Sequence, residues 1–283
     1  MSSSKQQDWF AHDQVTVIKP RQGLHILNIS ELWAYRDLWL TLIMRDIKVR
    51  YKQTVLGVAW AVIQPVTTML IFTLIFGRLA KIPSDGMPYP IFVFSGLLAW
   101  NLFSSAISSA GNSLVGASSL ITKVYFPRII VPLSSLGVAS IDFLIASGIL
   151  MLMMMFYGIA ISLKLLLLPV LLFGLLTTAV GIGVWLAAIT VTYRDFRFVI
   201  PFMVQIWMYV TPVVYPISFL PEGWRWLMYC NPLVGWISGF RAAFLDQPID
   251  WLAIGSSGLF SIVLLVVGLR YFVKVETRFA DVI

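Results

Sequence analysis

The sequence predicts an all-α integral membrane protein with six transmembrane helices, an N-terminal amphipathic interface helix, and two short re-entrant helices between spans five and six. Three observations carry that prediction. The 283 residues are 59% hydrophobic and only 12% charged, against about 25% charged in an ordinary soluble domain, so there is too little charge to cover a water-facing surface. Several apolar runs exceed the roughly 20 residues that cross a bilayer's hydrocarbon core, and the mean hydropathy is +0.87. The Lys and Arg residues, finally, concentrate on alternate connections between those runs.

Residues 1–28 are polar and mixed, without the compact apolar stretch and small-residue cleavage site of a secretory signal. This tail is expected to stay in the mature protein on the cytoplasmic side. It holds both histidines, His12 and His25, and Cys230 is the only cysteine. That inventory excludes an intrachain disulfide and a Cys-based metal cluster, and no metal site is expected. Residues 29–54 follow as an amphipathic helix. Ile29, Leu32, Trp33, Leu40, Ile43, Met44, Ile47 and Tyr51 recur at helical spacing, while Arg45, Lys48 and Lys52 form a basic stripe. Such a helix lies in the interface with its cations toward anionic headgroups. It serves as a simple anchor, or its polar face also docks a partner.

Residues 55–283 carry the membrane domain. Its six apolar segments are Val55 to Phe76, Ile91 to Val115, Ile129 to Tyr157, Leu163 to Val191, Phe198 to Val214 and Trp251 to Val273. The first, at 1.5 Å per residue, reaches about 33 Å, enough to cross with a little tilt. The fifth is short and holds Pro201 and Pro212, each of which removes a backbone donor. With the N-terminus inside, the cytoplasmic side receives eight Lys/Arg before the first span, then Lys123, Arg128, Arg194, Arg197, Arg270, Lys274 and Arg278, fifteen in all. The outside receives only Arg78, Lys81, Lys164, Arg225 and Arg241. That asymmetry sets the orientation and places both termini in the cytoplasm. It also accounts for the net charge of +7 without invoking nucleic acid.

Between spans five and six, Tyr215 to Pro248 is rich in aromatics, among them Phe219, Trp224 and Trp226, but is interrupted by Pro221, Asn231 and Pro232. Two short helices that dip into the outer leaflet fit this pattern, their breaks buried in protein or lining a cavity; an interfacial aromatic belt is the other reading. The connection between spans two and three puts Tyr125 and Phe126, expected to be exposed, beside Lys123 and Arg128. These residue types anchor protein interfaces and also sit at membrane surfaces. Asp142 is the one acidic residue well inside a span. Its candidate roles are proton relay, contact with a polar substrate, or helix pairing. With no intramembrane basic partner in the pattern, a proton-coupled pump is disfavoured. No Gly-Lys-Ser/Thr phosphate loop, His-Glu-x-x-His or Gly-x-Ser-x-Gly occurs, so no catalytic residue is assigned and any ATP chemistry belongs to another subunit.

Four segments resemble the ABC-2 permeases that export polysaccharides and polyol phosphates such as O-antigen, capsule and teichoic acid. They are Arg45 to Gly57 with Trp60 and Pro65; Lys123 to Arg128 with Pro132; Tyr193-Arg194-Asp195 leading to Thr211-Pro212-Val213-Val214-Tyr215-Pro216; and Asn231-Pro232-Leu233 leading to Phe240-Arg241. They stand in the family's order across roughly residues 30–275. The resemblance implies a homodimer paired with two copies of a nucleotide-binding ATPase subunit, which would hold ATP and Mg, while this chain carries no cofactor. It implies docking of that subunit on Arg45, Lys48, Arg50, Lys52, Lys123, Tyr125, Phe126, Pro127 and Arg128. It also implies a lipid-linked glycan cargo, a bacterial inner-membrane location, and an outer mouth shaped by Ser218 to Phe240. Arg45, Lys48, Arg50 or Lys52 would meet the anionic lipid pyrophosphate. Aromatic candidates for a channel at the dimer interface are Trp100, Phe103, Trp207, Tyr209, Tyr215, Phe219, Trp224 and Trp226, with Asp142 as a polar candidate; for each, packing or lipid contact is the plain alternative. The rival functions are an ABC-2 exporter of a small lipid or drug and an ion-coupled carrier.

Overall fold

The computed structural model describes residues 29–52, 59–277 and 279, and among them there is no strand. The expectations for the tail 1–28, for Gln53 to Val58 at the entry to the first span, and for Arg278 lie outside the described residues. The described residues form α1 (Ile29–Ala34), α2 (Arg36–Lys52), α3 (Ala59–Leu79), α4 (Tyr89–Gly116), α5 (Ser118–Ile121), α6 (Ile130–Tyr157), α7 (Leu163–Thr192), α8 (Phe196–Val210), α9 (Glu222–Met228), α10 (Val234–Leu245) and α11 (Trp251–Glu276), with a 3₁₀ turn at Ile217–Phe219.

Helices α3, α4, α6, α7 and α11 are long and apolar enough to cross a membrane. Their ends follow local chemistry. Pro90 sits in the first turn of α4, where its missing N–H costs nothing. Gly158 closes α6 with φ of 69°, the left-handed cap that glycine supplies. The Asp250 carboxylate accepts from Ala253 N at 3.0 Å and starts α11. The fifth expected crossing is the shorter helix α8, which ends where Thr211 turns extended, with ψ of 139°. Pro212 disfavours the helical region for the residue before it, and 15 residues reach only about 22 Å.

Helix α4 is the axis of the bundle. From Ile91 to Trp100 it is buried without a break, and it packs against α3, α6, α7, α8 and α10. One large apolar cluster surrounds its N-terminal half. A second, built from Leu42, Leu114, Phe126, Val184, Phe272 and Phe279 among others, closes the opposite end, where α2, the α5–α6 connection and the C-terminal part of α11 meet. α7 and α11 touch backbone to backbone. A Cβ added to Gly268 would sit 2.1 Å from the Gly181 carbonyl oxygen, so only glycine permits this crossing. By contrast α3 buries only Pro65 and Met69, and α8 only Ile200. These two helices lie at the margin of the bundle.

Of the two short pieces after α8, each answers a different expectation. α10 is buried along all but one of its twelve residues and packs on α4, α7 and α11, so it is enclosed in the bundle. α9 lies on the surface, with Trp224 and Trp226 exposed, as an interfacial aromatic belt does.

Replacing Gly268 with Val should force α11 away from α7 and lower the thermal unfolding temperature in detergent. Gly255→Ala on the same helix, with nothing within 4 Å of the new Cβ, should leave it unchanged.

Candidate docking surface and translocation path

At the end bounded by α2, the amphipathic helix is fixed to α6 through side chains on three successive turns of α2. Ile43 fills the notch left by Gly137, whose added Cβ would fall 2.5 Å from Ile43 Cγ2. One turn on, Ser134 Oγ donates to Asp46 Oδ2 at 3.4 Å. A further turn on, Arg50 Nη2 lies 2.7 Å from Asp142 Oδ2, and the Tyr51 hydroxyl donates to Asp142 Oδ1. Asp142 therefore has a basic partner after all, supplied by the interface helix instead of by a neighbouring span. The carboxylate is occupied by helix pairing, and Arg50 is turned toward it and away from the Arg45, Lys48 and Lys52 stripe. Burial, followed by the hydrogen bond to Asp142, pushes the Tyr51 phenol up from 10.0 to about 12. The resulting stabilisation is complete below pH 10 and is lost only as the pH rises toward 12, so Tyr51 is a proton donor at physiological pH.

The connection before α6 is more anchored than its composition suggests. Tyr125 is 61% exposed and Lys123 and Val124 are exposed beside it, but Phe126 is only 4% exposed and Pro127 is buried. The expectation that Phe126 faces solvent is corrected: it inserts into the cluster holding Leu42 and Phe272, where burying the ring gains more than exposing it. The Arg128 guanidinium donates to the Glu276 carbonyl oxygen and lies 6.0 Å from the Phe279 ring. The accessible part of the expected dock is therefore Arg45, Lys48, Arg50, Lys52, Lys123 and Tyr125, with the Arg50 guanidinium engaged by Asp142.

The channel aromatics divide in the same way. Trp100 and Phe103 are 3% and 0% exposed, packed inside the bundle with Phe103 edge-on to Trp207 at 5.3 Å. Both are core residues here and offer almost no surface to a passing molecule. Tyr209, Phe219, Trp224 and Trp226 are exposed and Tyr215 is half-buried. The Tyr215 hydroxyl donates to the Tyr209 carbonyl at 3.2 Å, which ties the end of α8 to the segment after it.

That segment, Thr211 to Pro216, breaks the helix inside the bundle and frees carbonyls that α8 no longer uses. Arg241, counted among the cations on the outside, is buried. Its Nη2 donates to the carbonyls of Pro212 at 3.2 Å and Val213 at 2.9 Å, and its guanidinium lies 3.8 Å from the centre of the Phe92 ring. The Tyr89 hydroxyl donates to Val214 O at 2.7 Å, and Asn231 Nδ2 donates to Thr211 Oγ1 at 2.9 Å. The sequence signal for Arg241 was a lone cation inside an otherwise apolar 12-residue helix, paired with a Pro-bounded break elsewhere.

Residues 37–245 match the ABC-2 type transporter family. The chain is 27% identical over 248 residues to the O-antigen export system permease protein RfbA of Klebsiella pneumoniae, covering 87% of this chain and 95% of that protein. It is 31% identical over 223 residues to RfbA of Myxococcus xanthus, covering 77% and 84%. To the polysialic acid transport protein KpsM of Escherichia coli it is 25% identical over 241 residues, covering 82% and 90%.

Two outcomes follow from these contacts. Arg50→Met and Asp142→Asn should each lower stability, and the double variant should cost less than the sum, with a coupling of about 1 kcal/mol in a double-mutant cycle by detergent thermal shift. Arg241→Leu should destabilise by about 1–3 kcal/mol through the unpaired Pro212 and Val213 carbonyls, on the same measurement.

Proposed function

Because the chain belongs to the ABC-2 type transporter family, we propose that it is the membrane-spanning subunit of an ATP-driven exporter of a lipid-linked polysaccharide such as O-antigen. The observation that carries this reading is the match to an O-antigen export permease along 95% of that protein's length. Two copies pair in the bacterial inner membrane, with both termini in the cytoplasm, and bind two copies of an ATPase subunit that holds ATP and Mg. A glycan longer than the bilayer is thick cannot be enclosed and flipped in one step. It needs a continuous path between the protomers, advanced by repeated ATPase strokes. The sparse packing of α3 and α8 on their own protomer supports their meeting a second copy. The exposed aromatics Tyr209, Phe219, Trp224 and Trp226, with Tyr215, suit the outer mouth, because aromatic faces stack on sugar rings without a fixed hydrogen-bond register.

The ATPase would press on the exposed cations of α2 and on Lys123 and Tyr125. Ile43, Asp46, Arg50 and Tyr51 would pass that displacement to α6 through Gly137, Ser134 and Asp142. The same stripe of Arg45, Lys48 and Lys52 is placed to meet the anionic pyrophosphate of the lipid carrier.

Deleting the chain from a cell that makes the glycan should abolish surface glycan and leave it lipid-linked inside, read by periodate staining of surface and total fractions. Unchanged surface glycan with retention of a small lipid or drug would overturn the polysaccharide assignment. Tyr125→Ala should reduce co-purification with the ATPase subunit about tenfold, a loss near 1.4 kcal/mol typical of an interface anchor, without changing thermal stability. Phe126→Ala should instead cost about 3–5 kcal/mol of stability, since it empties a core position.

A further inference from the structure

Helix α4 is turned the wrong way round for a helix in lipid. Between Asn101 and Ser113 its apolar residues are the buried ones: Leu102, Phe103, Ala106, Ile107 and Ala110 all face the bundle. The polar residues Asn101, Ser104, Ser105, Ser108, Ser109, Asn112 and Ser113 fall within half the helical circumference, and every one is at least partly exposed. Hydrocarbon offers no hydrogen bonds, and an unpaired hydroxyl or amide there costs about 4–8 kcal/mol on a cyclohexane scale. Ser104, Asn112 and Ser113 answer carbonyls of their own helix. The side chains of Asn101, Ser105, Ser108 and Ser109 have no hydrogen-bond partner among the described residues. Four unpaired polar groups on one face of a crossing are not there to meet lipid tails.

A second observation lies on the neighbouring helix. The end of this face opens into a groove of about 320 Å³ between α2, α4 and α6. Ser135 of α6 lines it while only 6% exposed, and its hydroxyl has no partner among the described residues. The charges at the groove cancel: Arg45 is 2.8 Å from Asp46, and Arg50 is 2.7 Å from Asp142. The surface is therefore polar without net charge.

We propose that the Asn101–Ser113 face of α4, with Ser135, is the inner half of the path along which an uncharged, hydroxyl-rich glycan moves, an inference that rests on the export reading above. Serine hydroxyls and asparagine amides both donate and accept, as sugar hydroxyls do. Successive turns offer equivalent groups about 5.4 Å apart, so a chain exchanges one set of hydrogen bonds for the next without leaving a deep well. The face carries no Lys or Arg to pair with a polyanion, so the cargo class is a neutral glycan.

The test uses the complete exporter in membrane vesicles, with Cys230→Ser as the parent. Ser105→Cys and Ser108→Cys probe the polar face, and Leu144→Cys probes an exposed apolar position on α6. A charged thiosulfonate should modify the two polar-face variants at least tenfold faster than Leu144→Cys. Their rates should fall at least threefold when glycan is stalled in transit by vanadate, compared with vesicles from cells whose first sugar-phosphate transfer is blocked. Equal slow modification at all three positions would show a dry face and sink the path. Fast modification unaffected by glycan would show a wet face that glycan does not use, and would sink it equally. Spontaneous disulfide-linked pairs of the Ser105→Cys variant would make this face a contact between copies and overturn the proposal. Surface glycan from the parent is measured first. If the parent exports none, the export reading itself falls; if it exports normally, a negative labelling result removes only the path.

Discussion

Inside a bilayer the backbone has no water to turn to, so every interruption of a helix must find its hydrogen bonds within the protein. The rest of this architecture depends on how that requirement is met after α8. Pro212 ends the helix, and the carbonyls of Pro212, Val213 and Val214 would be stranded in a low-dielectric setting. Arg241 and Tyr89 reach them from α10 and α4, while Asn231 holds Thr211 from the start of the α10 turn. The buried cation is stabilised by carbonyl dipoles, by the face of Phe92 and by the field of the Asp85 carboxylate, without a direct ion pair among the described residues. This explains why α10 is enclosed although it is too short to cross: it carries the donor that the break requires.

The same accounting separates the two ends of the molecule. At the α2 end, polar side chains are paired across elements, with Arg50 and Tyr51 on Asp142 and Arg128 on Glu276. These contacts turn an amphipathic helix that could have floated on the membrane into one registered against α6. A helix held at several points along a neighbour transmits a displacement to it, whereas a helix held by lipid alone does not. Gly137 is as important to that registration as the ion pair, since any side chain there would displace Ile43.

Burial then reassigns residues that look alike in composition. Tyr125 and Phe126 are adjacent, yet one is a surface residue and the other a core residue. Trp100 and Phe103 share α4 with the seven polar residues of the Asn101–Ser113 stretch, and the aromatics are the inward-facing group. Aromatic content therefore marks the packed axis of the bundle in α4. It marks exposed surface only after α8, at Tyr209, Phe219, Trp224 and Trp226.

What the sequence determined by itself is what depends on composition and period: the membrane class, the positions of the long crossings to within a few residues, the short fifth helix that Pro212 ends, and the amphipathic helix ahead of them. These follow from hydrophobic length and backbone chemistry, which are local. The family was legible as well, through four ordered motifs. Only the tertiary structure decided which face of each helix is covered. It gave Asp142 a partner 92 positions away in Arg50, buried Arg241 against the carbonyls after α8, and showed that α4 exposes its polar face while burying its aromatic one. The physical reason is that an apolar span reads the same whether it meets lipid or protein, and a polar residue's partner is set by the packing of helices distant in the chain.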